Sequence, residues 1–137
     1  MNVLLYLLPK TEVEYVYDDY TVRQALEKME YHHYSTIPVI TRQGKYAGSI
    51  SEGDLLWEIK RHDLNLEKCE KHPIANLVSY RKIAPISANK DMKDLVEIII
   101  NQNFVPVVDD LENFIGIITR RSVINYLTNE LNKTYRK

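Results

Sequence analysis

The sequence predicts a mixed α/β (α+β) protein made of two β-α-β-β-α copies, and three observations carry that prediction. Apolar residues recur at a fixed separation: Ile74, Leu77 and Val78 repeat Leu4, Leu7 and Leu8, Ile83 repeats Val13, and Met92, Leu95, Val96 and Ile99 repeat Val22, Ala25, Leu26 and Met29, each 70 residues on. Past that helix the offset drops to 68, where Pro106 answers Pro38, Gly116 answers Gly48, Thr119 answers Ser51 and Leu127 answers Ile59. Each copy also breaks from strand into helix at a hydroxyl, Ser51 and Thr119, a residue type that caps helix N-termini. A copy of roughly 60 residues buries too little surface to be comfortable alone, so the two are expected to share a core.

The elements follow in order. Val3 to Leu8 is an apolar run read as a core-facing helix, closed by Pro9 because proline cannot continue a helix. It has no basic flank or small-residue cleavage site and is far too short to span a bilayer. Val13, Tyr15 and Tyr17 alternate with Glu14 and Val16 as in a short strand. Thr21-Val22-Arg23-Gln24 is a capping-box pattern, and Val22, Ala25, Leu26 and Met29 fall on one helical face. Tyr34 to Ile40 is β-rich, and Pro38 within it marks an edge or irregular strand. The turn Thr41-Arg42-Gln43-Gly44 leads to the strand Lys45 to Ser51, and a helix begins at Asp54 with Leu55, Leu56 and Ile59 inward. The expected organisation is a first repeat with its lead-in helix over 1–60, a charged linker over 61–72, a second repeat over 73–130 and a polar tail over 131–137.

Composition narrows the function. Eighteen Lys+Arg against nineteen Asp+Glu give a net charge of −1, so no overall basic field draws the chain to nucleic acid or to an anionic membrane. The one cysteine, Cys69, cannot close an internal disulfide and suits a reducing cytoplasm; its charged neighbours predict an exposed linker thiol. No catalytic residues emerge: there is no Gly-x-Ser-x-Gly, no Gly-Lys-Ser/Thr phosphate loop and no nucleophile beside a base. His32 and His33 are adjacent and so project to different sides, with no completing ligand set, and no metal site is expected. The tyrosines at 15, 17, 20, 31, 34 and 46 are read as packing or a dimer face, because basic residues near them are sparse.

The stretch that points to a ligand runs from Phe114 to Ser122. Its strand delivers Thr119, Arg120 and Arg121 to the start of a helix, where unpaired N–H groups and the helix dipole favour phosphate. The equivalent turn, Ser51-Glu52-Gly53-Asp54, carries an acid that Ser122 replaces in the second copy.

In that order, twice, the fragments resemble a pair of cystathionine-β-synthase (CBS) domains, the tandem arrangement called a Bateman module. They are Thr21 to Met29, Ser35 to Ile40 and Gly48 to Asp54, then Phe104 to Asp109 and Gly116 to Arg121. The resemblance implies two repeats about a pseudo-twofold axis, with two clefts able to hold an adenine nucleotide. One cleft would join Lys10, Thr11, Val13, Tyr15, Ser35, Thr36, Ile37 and Pro38 to Thr119, Arg120 and Arg121. The other would join Arg81, Lys82, Ile83, Asn103, Phe104 and Val105 to Ser51 and Asp54, with Asp54 accepting from ribose and Phe104 narrowing the space. The Thr-Arg-Arg turn and the shortened second copy are similar to a subgroup of stand-alone bacterial CBS proteins that bind cyclic di-AMP. The resemblance thus implies a regulatory module, not an enzyme, sensing AMP, ADP, ATP or cyclic di-AMP, without a required cofactor, as a homodimer that signals to a separate effector protein. An empty structural dimerisation module, or a sensor of another adenosyl ligand such as S-adenosylmethionine, are the alternatives.

Overall fold

A computed structural model describes residues 1–136, and the chain divides into two compact units that do not follow the repeat boundaries. One unit is Met1–Val13 together with the segment from Ile83 onward; the other is Glu14–Lys82. The lead-in of each copy therefore folds onto the strands of the opposite copy, and the lead-in expected with repeat one packs with repeat two.

In the unit from Glu14 to Lys82, a three-stranded sheet has the order β2-β3-β4, where β2 is Val16–Tyr17, β3 Thr36–Ile40 and β4 Tyr46–Ser51. Helix α1 (Val22–His32) starts on the anticipated capping box, with Thr21 and Gln24 satisfying each other's backbone N–H, and buries Val22, Ala25 and Met29. Helix α2 (Glu52–His62) starts on a second capping box, Ser51 with Asp54. Its inward residues are Leu55 and Glu58, whereas Leu56 is 58% exposed, a correction to the inward face read from the sequence. The strand alternation is also shifted: Val16 is fully buried and Tyr15 and Tyr17 are half-buried, because the regular strand is only two residues long.

Pro38 stands in β3, the middle strand of this sheet, not at an edge. The parallel partner β2 reaches only Val39 and Ile40, so at Pro38 the strand is paired on one side alone, with Ser49 of β4, and the missing N–H leaves no ladder bond broken. Pro106 has the same surroundings, opposite Ile117 and short of the residues that the parallel partner covers.

The region expected as a linker is structured. Helix α2 runs to His62, and a short helix α3 (Leu66–Cys69) begins at Asn65, whose side chain accepts from the Lys68 N–H. Cys69 is thereby 2% exposed and joins the core with Val16, Val22, Ile37 and Ile74, not the exposed thiol predicted.

In the other unit the sheet order is β1-β7-β6-β5, with β1 Leu8–Pro9, β5 Ile86–Ser87, β6 Phe104–Val108 and β7 Phe114–Thr119, followed by helix α4 (Arg120–Tyr135). The apolar lead-in is one 3-10 turn, Val3–Tyr6, in which Val3 is buried and Leu5 is 72% exposed, instead of a core-facing helix. The helix expected from Met92 to Ile99 is likewise replaced by two 3-10 turns, Met92–Leu95 and Ile98–Ile100. Val96, Ile98, Ile99 and Ile100 lose χ1 freedom in a helix, and this copy is two residues shorter before its strand, so a continuous α-helix is disfavoured. The core predicted to be shared is instead two clusters, one per unit, each fed by both copies: Ile74 enters one and Val3 the other.

Candidate functional site

Two glycines let the lead-ins approach. Gly48 in β4 has φ 145°, and a Cβ there would stand 2.8 Å from the Ser79 carbonyl group, because Ser79 bridges Ser49 with backbone bonds of 3.1 and 3.0 Å. Gly116 in β7 has φ 153°, and its Cβ would lie 2.2 Å from the Leu8 carbonyl oxygen, because β1 pairs directly across it. The Gly48 crossing brings residues that follow the lead-in beside a helix-capping turn.

In the unit from Glu14 to Lys82, that places Lys82 at Asp54. Lys82 Nζ donates to Asp54 Oδ1 at 3.3 Å, while Asp54 Oδ2 accepts from the Ser51 N–H at 2.8 Å and Ser51 Oγ accepts from the Asp54 N–H at 3.1 Å. A cavity of about 280 Å³ is lined by Asp54, Trp57, Arg61, Asn76, Leu77 and Lys82. Arg81 is exposed beside it in sequence, and Tyr80 lies over the buried Tyr46 with ring centroids 5.8 Å apart. Burial, then the neighbouring Tyr80, pushes the Tyr46 phenol well above its ordinary pKa. Ser35 belongs here too, its carbonyl accepting from the Glu52 N–H at 2.9 Å; Thr36 pairs with Ser51, and Ile37 and Pro38 are buried.

In the other unit, the 3-10 turn Lys10–Glu12, with Lys10 half-buried and Thr11 exposed, packs on β7, and Val13 after it is buried. Thr119 caps α4, its Oγ1 accepting from the Ser122 N–H at 3.1 Å and donating to Ser122 Oγ at 3.0 Å. The two arginines differ. Arg120 is half-buried, its Nε donating to the Ile99 carbonyl at 3.0 Å and its Nη2 to the Gln102 carbonyl at 3.1 Å, so it clamps the chain before β6. Arg121 is exposed and makes no ion pair among the described residues. Asn103 is exposed, its carbonyl accepting from the Arg120 N–H, and Ile83, Phe104 and Val105 are buried.

Each predicted residue set draws on both units. Lys10, Thr11 and Val13 share a unit with Thr119 to Arg121, and Arg81 and Lys82 share one with Ser51 and Asp54. Tyr15 and Ser35 to Pro38 fall in the unit of Asp54, while Ile83 and Asn103 to Val105 fall in that of Arg121.

A further cluster was not anticipated. On α2, Glu58 and His62 stand four apart on one face, and His72 arrives from beyond α3. His72 Nε2 is 2.9 Å from Glu58 Oε2 and His62 Nε2 is 3.3 Å from Glu58 Oε1. The His72 hydrogen bond, then the charges of His62, His72 and Arg61, hold the Glu58 carboxyl below its usual range against the opposing effect of desolvation. The legible signal was Glu-x-x-x-His at helical spacing; the partner ten residues on was hidden by the unforeseen helix α3.

The sequence profile of the CBS domain matches residues 7–61 and 77–129, and the chain belongs to that family. It is 25% identical over 130 residues to the uncharacterized protein MJ1225 of Methanocaldococcus jannaschii, covering 86% of this chain but spanning under half (46%) of that protein. The crystal structure of CbpB in complex with c-di-AMP is similar at a TM-score of 0.87 and 26% identity, over 99% of this chain and 90% of that one. CBSX2 in complex with AMP shares the fold at a TM-score of 0.75 and 21% identity, over 93% of this chain and 96% of that one. The chain is thus a CBS pair related to nucleotide-binding regulatory modules.

Proposed function

We propose that this CBS pair is a regulatory module that binds an adenine nucleotide and passes the signal to a separate partner protein, with cyclic di-AMP as its principal ligand. The observation that carries the reading is the start of α4: Arg121 is exposed there, and Ser122 stands where the equivalent turn has Asp54, so the first turn of α4 itself carries no acidic side chain. The likeness to the c-di-AMP complex of CbpB over nearly the whole chain supports the same ligand class. Lys10 and Thr11 are the further polar contacts proposed beside Arg121, whose own N–H is the first-turn donor proposed for the ligand, since Asn103 and Thr119 take the N–H groups of Arg120 and Ser122. Thr119 is engaged with Ser122, so its part is to hold the turn.

A mononucleotide with free ribose hydroxyls is proposed for the cavity at Asp54 and Lys82, where the carboxylate can accept from a diol and Lys82 and Arg81 can meet phosphate. In this reading the nucleotide is a regulatory ligand, no cofactor is required and no reaction is catalysed.

Isothermal titration with cyclic di-AMP tests the proposal. Arg121→Ala should weaken binding by about 1.5–3 kcal/mol, the scale of a hydrogen bond to a charged group, or roughly ten- to a hundredfold in Kd. Unchanged affinity in that variant would remove the arginine turn from the site, and no binding of any adenine nucleotide by the wild type would favour a purely structural module. That alternative has an observation of its own, the exposure of Leu56 and Trp57 on α2, residues suited to a homodimer face.

A further inference from the structure

We infer that Glu58, His62 and His72 form a binding site for one borderline divalent transition ion of the Zn²⁺ type. The three donors converge from two segments: their ligand atoms lie within 4.8 Å of one another, and two of the pairs are at 2.9 and 3.3 Å. A tetrahedral ion with bonds of about 2.0–2.1 Å sets its ligands roughly 3.3 Å apart, so modest side-chain movement admits it. Two imidazoles with one carboxylate select ions that accept nitrogen donors over Mg²⁺ or Ca²⁺, which prefer all-oxygen shells.

The backbone around the donors is fixed before any ion arrives. Glu58 is buried on α2. The His72 N–H donates to the Lys68 carbonyl at 3.1 Å and its carbonyl accepts from the Val22 N–H, the first of α1, at 2.8 Å, while Pro73 bridges Thr21. An ion held here would tie α2, the segment after α3 and the start of α1 together. Binding requires each Nε2 to offer its lone pair, so the proton now shared with Glu58 moves to Nδ1 or leaves to solvent. Three protein ligands leave a fourth position for water or an outside donor.

The test is isothermal titration of the full chain with ZnCl₂ in a non-chelating buffer, with Co²⁺ absorption as a second readout. One ion per chain and an intense visible Co²⁺ spectrum are expected. His62→Ala, at an exposed position that should leave folding intact, and Glu58→Gln should each weaken Zn²⁺ binding by roughly a hundredfold and lose that spectrum. His32→Ala, which removes a histidine near Glu14 on α1, should change neither. Absence of stoichiometric binding, or binding that His62→Ala leaves intact while His32→Ala reduces it, would overturn the assignment.

Discussion

Arg120 and Arg121 are neighbours with opposite duties, although their adjacency in the sequence suggests a shared one. Which guanidinium faces solvent depends on the carbonyls that the chain before β6 offers, those of Ile99 and Gln102. Arg120→Ala should therefore destabilise the fold by about 1.5–3 kcal/mol by stripping two carbonyls of a charged donor. Arg121→Ala should leave the denaturant midpoint nearly unchanged; equal midpoints for the two variants would count against the division. Asp54 shows a related limit. Its place at the turn was legible, but half of its carboxylate serves the Ser51 N–H, so Asp54→Asn, which keeps a cap acceptor, is a cleaner probe of charge than alanine. Acid provides another test on a single pair of side chains. Arg42 donates to both oxygens of Asp19 at 2.8 and 3.0 Å, and this hydrogen bonding, then the charge, lowers the Asp19 pKa in the folded state. The pair's contribution is present above the unfolded aspartate pKa of about 3.9 and fades as pH falls through the folded value. Thermal melts of Asp19→Asn and wild type should differ slightly near neutrality and converge as pH falls below the ordinary aspartate range. A gap that widens on acidification would contradict that sign.

Among the elements, the capping box at Thr21 and the hairpin of β3 with β4 could be read from residue type and spacing, because each depends on neighbours a few residues away. The α3 helix and the buried Cys69 could not: their apolar content is slight, and packing against α1 supplies what local pattern lacks. The glycines were legible as repeat markers, but not as the crossing points of the lead-ins. Gly116→Ala should cost about 3 kcal/mol, since φ 153° and a Leu8 carbonyl 2.2 Å from the new Cβ are both unfavourable. A melting temperature within a degree or so of wild type would mean that β1 separates from β7 at little cost.

Across the whole molecule, the repeat and its fold class were visible because the apolar period survives two offsets, whereas the exchange of lead-ins was hidden, since no local signal says which copy a segment joins. Among the described residues no helix is long and apolar enough to cross a membrane. Leu56 and Trp57 are each half exposed or more, and α1 and α2 frame an apolar groove of about 560 Å³ lined by Leu26, Met29, Leu55, Leu56 and Ile59. We propose that these helices form a homodimer face. Light scattering at micromolar concentration should give a dimer mass that Leu56→Asp lowers towards the monomer; a monomeric wild type would refute it.

On the proposed division of ligands, the acid-free turn at Ser122 receives the cyclic dinucleotide and the Asp54 turn the mononucleotide. Ser122→Asp is the direct probe, because an aspartate at the third helical position should cap Thr119 as Asp54 caps Ser51, keeping the fold while adding negative charge. Calorimetric titration of this variant should show cyclic di-AMP affinity reduced roughly tenfold or more and AMP affinity unchanged, with Asp54→Asn giving the reverse. Equal losses for both ligands in both variants, or full cyclic di-AMP affinity in Ser122→Asp, would contradict that division.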